Sequence, residues 1–579
     1  MMREPGIPDH LTPLKTACPQ RVDGRWRSDQ HDDGYRGGGE ARQEISTVFH
    51  EACGVDDLFQ NSISVVAELG FGAGLSMLET IDRFREVASA DARLCLVSCE
   101  KFPIDPESAK EMLLHDGAAP ELVSALIAQW PLHVGGWHRL SFLGGRVHLT
   151  LGLGDASDLL QTLNFEADAW FLDGFSPAKN PELWTPEVLQ LVTERSAAGA
   201  RLGTWCSAGD MRRSLAALGW SVERVSGHAT KRHRVQARRS GITPKRPSPG
   251  TIHIAGAGFA GAGAARAFAE RGWSVTVFDP NGPASGASGN PRSLVQPRLA
   301  KGLDAASHLH LHAALFAARQ MDQLGVTSIP GALHLEVGHH GEKVEAALSH
   351  ERLPATLIRA VDEEEASQLA GCRVGPGAWF ASARSVSGSE YVAALLDHGN
   401  IEVRFDEPKT PACEEAPLVW CTGSSAVNAF GLGGLHQIRG QLEVLDPIPG
   451  LNHAVCFGHY LLPGEDAVVL GASYDHGDSD PSVRDDTAQA SLELAQAALP
   501  GVQMRRTGGR TSFRLASRDR LPLLGPDPQG HAWFSLAHGS RGASTGPFLG
   551  AYLADCMEGV PGVLPSVYAS RLRVGRFDQ

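Results

Sequence analysis

The chain has 579 residues, 42% of them hydrophobic and 20% charged, with 65 glycines. This is a globular α/β composition, not a fibrous or disordered one, and too long for a single core, so two large units are expected, one of them subdivided. A formal net charge of -14 excludes a protein that binds nucleic acid through its whole surface, so any RNA contact must be local.

The first forty residues are polar and Gly-rich and are expected to be partly disordered. The start, MMREPGIPDH, lacks a basic-then-apolar leader pattern, and no apolar run approaches the ~20 residues of a membrane helix, which points to a cytoplasmic protein without a membrane partner. Candidate strands follow at residues 65–69, 94–99, 147–151, 169–172 and 201–206, with helical segments between several of them. That spacing predicts a doubly wound, mostly parallel sheet.

The first of these strands runs into ELGFGAG at residues 68–74. Glycines at Gly70, Gly72 and Gly74 permit positive φ and let a ligand lie against bare backbone where the strand ends. Such a loop alone also serves plain packing, so its company decides. Glu68 lies at the end of the first strand as it enters the loop, Glu100 ends the second strand where a carboxylate can accept both hydroxyls of a ribose, and Asp155 and Asp173 end later strands. Any one of these acids could equally be a helix cap or a solvated strand end; four at successive strand ends fit a site across a sheet edge. No Gly-Lys-Ser/Thr follows the loop, and acids surround it, which favours a cationic sulfonium such as S-adenosylmethionine over a polyphosphate. Methyl transfer there would be in-line positioning of an amine, with a carboxylate holding or deprotonating it. The ten cysteines include no CxxC pair; Cys95 and Cys99 fall on a strand and its end, so reduced structural thiols are expected and no metal site.

Residues 228–246 form an acid-free basic stretch containing Lys231, Arg232, Arg234, Arg238 and Arg239, read either as a local RNA contact or as a solvated linker. GITPKRPSPG at 241–250 is a Pro/Gly/Ser-rich boundary. The domains are therefore set at 1–240, a methyltransferase unit; 241–250, a linker; and 251–579, a second unit.

This second unit opens with strand 251–255, helix 260–271 and strand 274–278. IAGAGFAG at 254–261 supplies Gly256, Gly258 and Gly261, and Asp279 ends the next strand. In this context the glycines admit a pyrophosphate, the helix N-terminus complements its charge, and the acid binds ribose. FAD rather than NAD is indicated by two further loops. ASGASGN at 284–290 includes Ser288, Gly289 and Asn290, and GSRG comprises Gly539, Ser540, Arg541 and Gly542 ahead of a C-terminal helix. Each alone reads as a surface turn, so the flavin assignment rests on their combination. Arg514 is placed to grip a substrate carboxylate bidentately, unless it is a surface arginine; Tyr460 would add a hydroxyl, unless it is a core tyrosine.

EKFP at 100–103, DAWFLDGFSPAKNP at 168–181, SAG at 207–209 with Arg212 and Arg213, ASGN at 287–290, GASY at 471–474 and GSRG at 539–542 stand in the order of a known family. Over about residues 32–576 the chain resembles the bifunctional tRNA 5-methylaminomethyl-2-thiouridine biosynthesis family. The resemblance implies an N-terminal Rossmann-like methyltransferase fused to a flavoprotein of the D-amino-acid oxidase/glycine oxidase type, with a Rossmann-like FAD subdomain and a mixed-sheet substrate subdomain. It implies FAD-dependent oxidation of a carboxymethylaminomethyl group on the wobble uridine of tRNA, hydrolysis to the aminomethyl base with loss of glyoxylate, and methylation by S-adenosylmethionine. It further implies Asp173 as the group orienting the amine, Arg514 as the carboxylate anchor and Tyr460 as its companion; flavin amine oxidation needs no obligatory side-chain base. The chain departs from the family pattern at Ala73, Ser76 and Met77, keeps only DGY at 33–35 of an N-terminal motif, and lacks a Gly-Gly-Trp segment near residues 381–387. Two other readings stay open at this stage: an enzyme pair acting on a small-molecule or protein amine, and a tRNA-binding protein with a decayed methyl site.

Overall fold

The computed structural model describes residues 14–35, 41–227, 232–243, 245–298, 305–349, 353–405, 416–426, 432–527 and 532–577. The chain forms two compact units, Met1–Ser248 with Asp555–Val567, and Pro249–Ala554 with Tyr568–Gln579. Their division falls inside the Pro/Gly-rich stretch at 241–250. Segment Asp555–Val567, which the sequence groups with the rear half, packs with the front unit.

In the front unit the strands are β1 (Ile63–Leu69), β2 (Arg93–Glu100), β3 (Gly136–Phe142), β4 (Val147–Leu153), β5 (Ala167–Leu172), β6 (Ser196–Thr204), β7 (Trp220–Ser226) and β8 (His233–Arg239). Among the described residues they make one sheet in the order β3-β4-β2-β1-β5-β6-β8-β7. The five central strands, β4 to β6, are parallel, and β3, β8 and β7 add antiparallel pairings at the two edges. Alternation explains the two-sided core: Val66, Leu94 and Leu96 enter one hydrophobic cluster, whereas Val65, Ala67, Cys95 and Val97 enter the other. Both faces are buried, as a parallel sheet requires. Because β1 has β2 on one side and β5 on the other, the chain leaves in opposite directions at its carboxyl end, the switch point where open sheets bind ligands.

Three strands were not legible in the sequence. β3 and β7 carry polar residues on one face, and β8 (HRVQARR) has only Val235 and Ala237 to mark alternation, so it read as a basic stretch, RNA contact or linker. Residues 14–35 also differ from expectation. Gln20–Val22 and Arg25–Arg27 pair as a hairpin, Ala17 bridges to Ile104, and Trp26 is buried.

The rear unit starts as read. β9 (Thr251–Ala255), α1 (Phe259–Glu270) and β10 (Ser274–Phe278) form a parallel βαβ unit. Among the described residues, β9 and β10 belong to a six-stranded sheet, parallel except for one edge pairing. A second, ten-stranded mixed sheet carries β11 (Leu435–Leu445), β12 (Tyr460–Pro463), β13 (Val468–Gly471) and β14 (Arg506–Ser517). The C-terminal helix α2 (Gly542–Glu558) packs on α1 through small residues: a Cβ at Gly263 would meet Pro547 at 2.5 Å, and one at Gly550 would meet Ala264 at 2.6 Å.

Candidate functional site

In the front unit a cavity of about 950 Å³ opens at the carboxyl ends of β1, β2, β4 and β5. Gly70, Gly72, Glu100, Asp155 and Asp173 line it. Gly70 has φ +92°, and a Cβ there would run into the carbonyl oxygen of Asp173, so only glycine lets the two strand ends meet. Glu100 accepts the amides of Gly72 and Phe102 at 2.8 Å each, one per carboxylate oxygen. The carboxylate keeps acceptor capacity beyond these bonds, as a ribose hydroxyl at this strand end would need. Burial pushes this carboxyl up to about 7, against the backbone donors of Phe102, Gly72 and Lys101.

Asp155 fills both roles considered for it. It caps the helix Ala156–Thr162 through Ser157 at 3.0 Å, and its other oxygen faces Lys101 Nζ at 3.1 Å while lining the cavity. Burial raises its pKa, but Lys101 and Ser157 outweigh that and hold it below the ordinary carboxylate value. Asp173 is anchored by its amide to Leu69 O at 3.0 Å, and its Oδ2 accepts the Ser76 hydroxyl at 3.2 Å. The departure at Ser76 thus lands on the acid expected to hold the amine.

Two of the expected site residues are not among those lining the cavity. Glu68 lies within β1, 1% exposed, with Oε2 accepting Ser98 Oγ at 2.8 Å, and Gly74 caps the helix Leu75–Val87. What sequence reasoning missed is the wall built by residues 28–35 and by the FSP run. Asp33 accepts the amide and hydroxyl of Ser176 at 3.2 and 3.1 Å, and the rings of Tyr35 and His31 pack on Phe175 at 5.3 and 4.9 Å. The signal was present in DGY at 33–35, short as it is.

In the rear unit, Gly258 caps α1, and the Phe259 amide donates to Ser288 Oγ at 3.0 Å. A Cβ at Gly261 would overlap Gly256 O, so strand and helix approach as closely as a dinucleotide fold demands. Asp279 accepts the Ala257 amide at 2.9 Å and the Asn281 amide at 3.0 Å, which sets its carboxylate beside the glycine turn. The other loops converge there. Gly289 lies in a turn whose carbonyls are held by Arg510, Asn290 is 8% exposed with Oδ1 lacking a partner among the described residues, and Gly542 packs beside Phe259. A buried acceptor with no donor is costly unless a ligand supplies one, and flavin amides and hydroxyls are such donors. Gly539 has φ +57° and Ser540 is exposed; Arg541 donates to Gln296 O at 2.9 Å, and burial brings its pKa down to about 10. Arg510, which ties β14 to the ASGN turn, was not singled out in the sequence, having no motif of its own.

Arg514 projects from β14 over Gly440, whose missing side chain makes the room, with its guanidinium 5.9 Å from the Tyr474 ring centroid. Its one hydrogen bond among the described residues is a long 3.5 Å contact to Ser473 O, and no carboxylate there pairs with it. Tyr460, on β12 beside Gly471, is half-buried; burial raises its phenol while the charge of Arg514 draws it down, so the two side chains feel one another. The basic stretch divides. Arg239 donates to Thr193 O at 2.9 Å, and Arg234 faces Glu51 at 3.5 Å, whereas Arg232 and Arg238 are exposed; Lys231 lies outside the described residues. Among the described residues no group of three or more His, Cys, Asp or Glu is arranged to hold a metal, and no helix is long and apolar enough to cross a membrane.

A cavity at the sheet's switch point lined by strand-end acids and a glycine-cradled dinucleotide fold define a fusion of a methyltransferase with a flavin-dependent oxidoreductase. Residues 118–240 match an S-adenosyl-L-methionine-dependent methyltransferase family and residues 251–556 an FAD-dependent oxidoreductase family. The structure is similar to glycine oxidase from Geobacillus kaustophilus, at 18% identity and a TM-score of 0.50 over 56% of this chain and 98% of that one. The chain is 32% identical to the tRNA 5-methylaminomethyl-2-thiouridine biosynthesis bifunctional protein MnmC of Thiobacillus denitrificans, over 97% of this chain and 99% of that protein. To its namesake in Chromohalobacter salexigens it is 31% identical, over 96% and 93%. The chain belongs to the MnmC family.

Proposed function

We propose that this protein completes a modified wobble uridine in tRNA in two steps, working in the cytoplasm. Residues 251–579 remove the carboxymethyl group from 5-carboxymethylaminomethyl-(2-thio)uridine, and residues 1–240 methylate the aminomethyl product, with 241–250 as the join. The observation that carries the reading is that one chain holds both a guanidinium, Arg514, with no carboxylate partner among the described residues and a carboxylate, Asp173, lining the front cavity.

Bound FAD would accept the hydride from the carbon beside the carboxylate, and bound S-adenosylmethionine would supply the methyl group. The protein's own residues do the rest. Arg514 binds the substrate carboxylate in a fork, with the Tyr460 hydroxyl beside it, which holds the adjacent carbon in one orientation. Asn290, Ser288 and the glycine turn at the N-terminus of α1 hold the dinucleotide, with Asp279 at a ribose. Glu100 receives a ribose diol in the front cavity, and Asp173, oriented by Ser76, holds the primary amine and takes up its proton.

Nucleoside mass spectrometry of tRNA incubated with the protein, with and without S-adenosylmethionine, reads both steps. The expected products are methylaminomethyluridine with the donor and aminomethyluridine without it. Unchanged carboxymethylaminomethyluridine in both arms would overturn the reading.

A further inference from the structure

The clamp face of the rear unit continues outward into a second cavity of about 400 Å³, lined by His436, Tyr474, His476, Ser517, Arg518 and Arg520. Register explains the continuity. Ile438 of β11 has Arg514 as partner on one side and His476 on the other, so both project on the same face of the sheet. Tyr474 joins the two features, lying beneath the Arg514 guanidinium and also lining the cavity.

The chemistry of this cavity is cationic and aromatic. His436 and His476 stand 5.5 Å apart and Tyr474 meets His476 edge-on at 5.2 Å, with Tyr474 45% exposed. Arg518 and Arg520 are exposed and form no ion pair among the described residues. The acid between them is engaged elsewhere: Asp519 takes Arg576 at 2.8 and 2.9 Å and the Ser517 hydroxyl at 2.8 Å. On a chain of net charge -14, two uncompensated guanidiniums beside an exposed ring match a single-stranded nucleotide, whose phosphate pairs with arginine and whose base stacks on an aromatic ring.

We propose that this cavity holds a nucleotide adjacent to the modified uridine, with its phosphate on Arg518 and Arg520 and its base against Tyr474 and His476, so that the carboxymethyl arm is delivered to Arg514. The inference rests on the tRNA reading above and adds the subsite that distinguishes RNA-borne substrate from a free amine.

The test is salt-dependent binding of a synthetic anticodon stem-loop carrying carboxymethylaminomethyluridine to the full-length flavin-loaded chain. Wild type is compared with the Arg518→Ala/Arg520→Ala variant, the Arg518→Lys/Arg520→Lys variant and Tyr474→Ala. Loss of the grip that both guanidiniums have on one phosphate of a single strand should flatten the slope of log Kd against log salt by about 0.7; the lysine pair should restore it. Tyr474→Ala should weaken binding about 5- to 150-fold, the range of one base–aromatic stack. Unchanged affinity and slope in both alanine variants, with flavin retained, would overturn the subsite. A wild-type chain that binds the stem-loop no better than it binds free phosphate would instead overturn the tRNA reading itself.

Discussion

Asp173 and Arg514 stand at the two chemical centres and fail differently when removed. Asp173→Ala should cut methylation by about 10²- to 10⁴-fold, the usual weight of a positioned acid–base group, while oxidation continues and aminomethyluridine accumulates; undiminished methylation in a mass-spectrometric time course would end its assigned role. Arg514→Ala should raise KM for the carboxymethyl substrate about 10- to 100-fold, as expected for a charge-assisted hydrogen bond worth roughly 1.5–3 kcal/mol, with Arg514→Lys intermediate because it loses the fork. Glu100 gives a pH prediction. Its carboxyl is raised from 4.5 to about 7 by burial, so the ligand-free fold binds its proton more tightly than the unfolded chain does. Stability is therefore highest below about 4.5 on this account and declines as pH rises through about 7. Affinity for S-adenosylmethionine runs the other way, because the ionised form is the better acceptor for ribose hydroxyls. Calorimetric titrations between about pH 5.5 and 8.5 should show Kd falling up to about pH 7 and then levelling; a flat profile would exclude Glu100 as the ribose acid.

At the scale of elements, the strand–loop–helix joints were the most legible parts of the sequence, because a glycine at a strand end leaves a pattern that needs no tertiary knowledge. The turn at Gly256 to Gly261 is the case in point. A Cβ at Gly261 would overlap the carbonyl of Gly256, backbone that cannot move aside, so Gly261→Ala should yield protein that retains little or no FAD, read as the 450 nm-region absorbance per chain after gel filtration. Full flavin retention would show that the close approach is dispensable. Less legible was β8, where Val235 and Ala237 alone mark the buried face and the charged residues around them suggested an RNA contact or a linker. Pairing with β6 and β7 is what makes it a strand, and those partners are distant in sequence. Glu68 was legible as an acid at a strand end, but the hydrogen bond it accepts from Ser98 on the neighbouring strand was not.

At the scale of the whole molecule, the front unit is not a contiguous stretch of chain. Asp555 and Glu558 belong to it, and their carboxylates meet buried arginines of the front sheet: Arg139 to Asp555 at 2.7 Å, and Arg93 to Glu558, with all four side chains at most 3% exposed. Removing one partner strands a buried charge, so Glu558→Gln should destabilise the front unit by about 3–5 kcal/mol, whereas replacing Arg93 and Glu558 together by Met and Leu should cost far less. Denaturant unfolding followed by a front-unit tryptophan such as Trp170 separates these outcomes; equal losses in both variants would contradict the pairing. Such a pair could not be read from the chain, since nothing in the letters around Arg93 announces a carboxylate 465 positions away. Sequence alone determined the two ligand cradles, because each depends on local backbone freedom and on an acid at a strand end, both written within a few residues. Tertiary structure decided which acids face the cavity, how residues 28–35 wall it, which arginines stay unpaired and where the front unit's last segment comes from, because direction, partnership and burial are set by residues far along the chain.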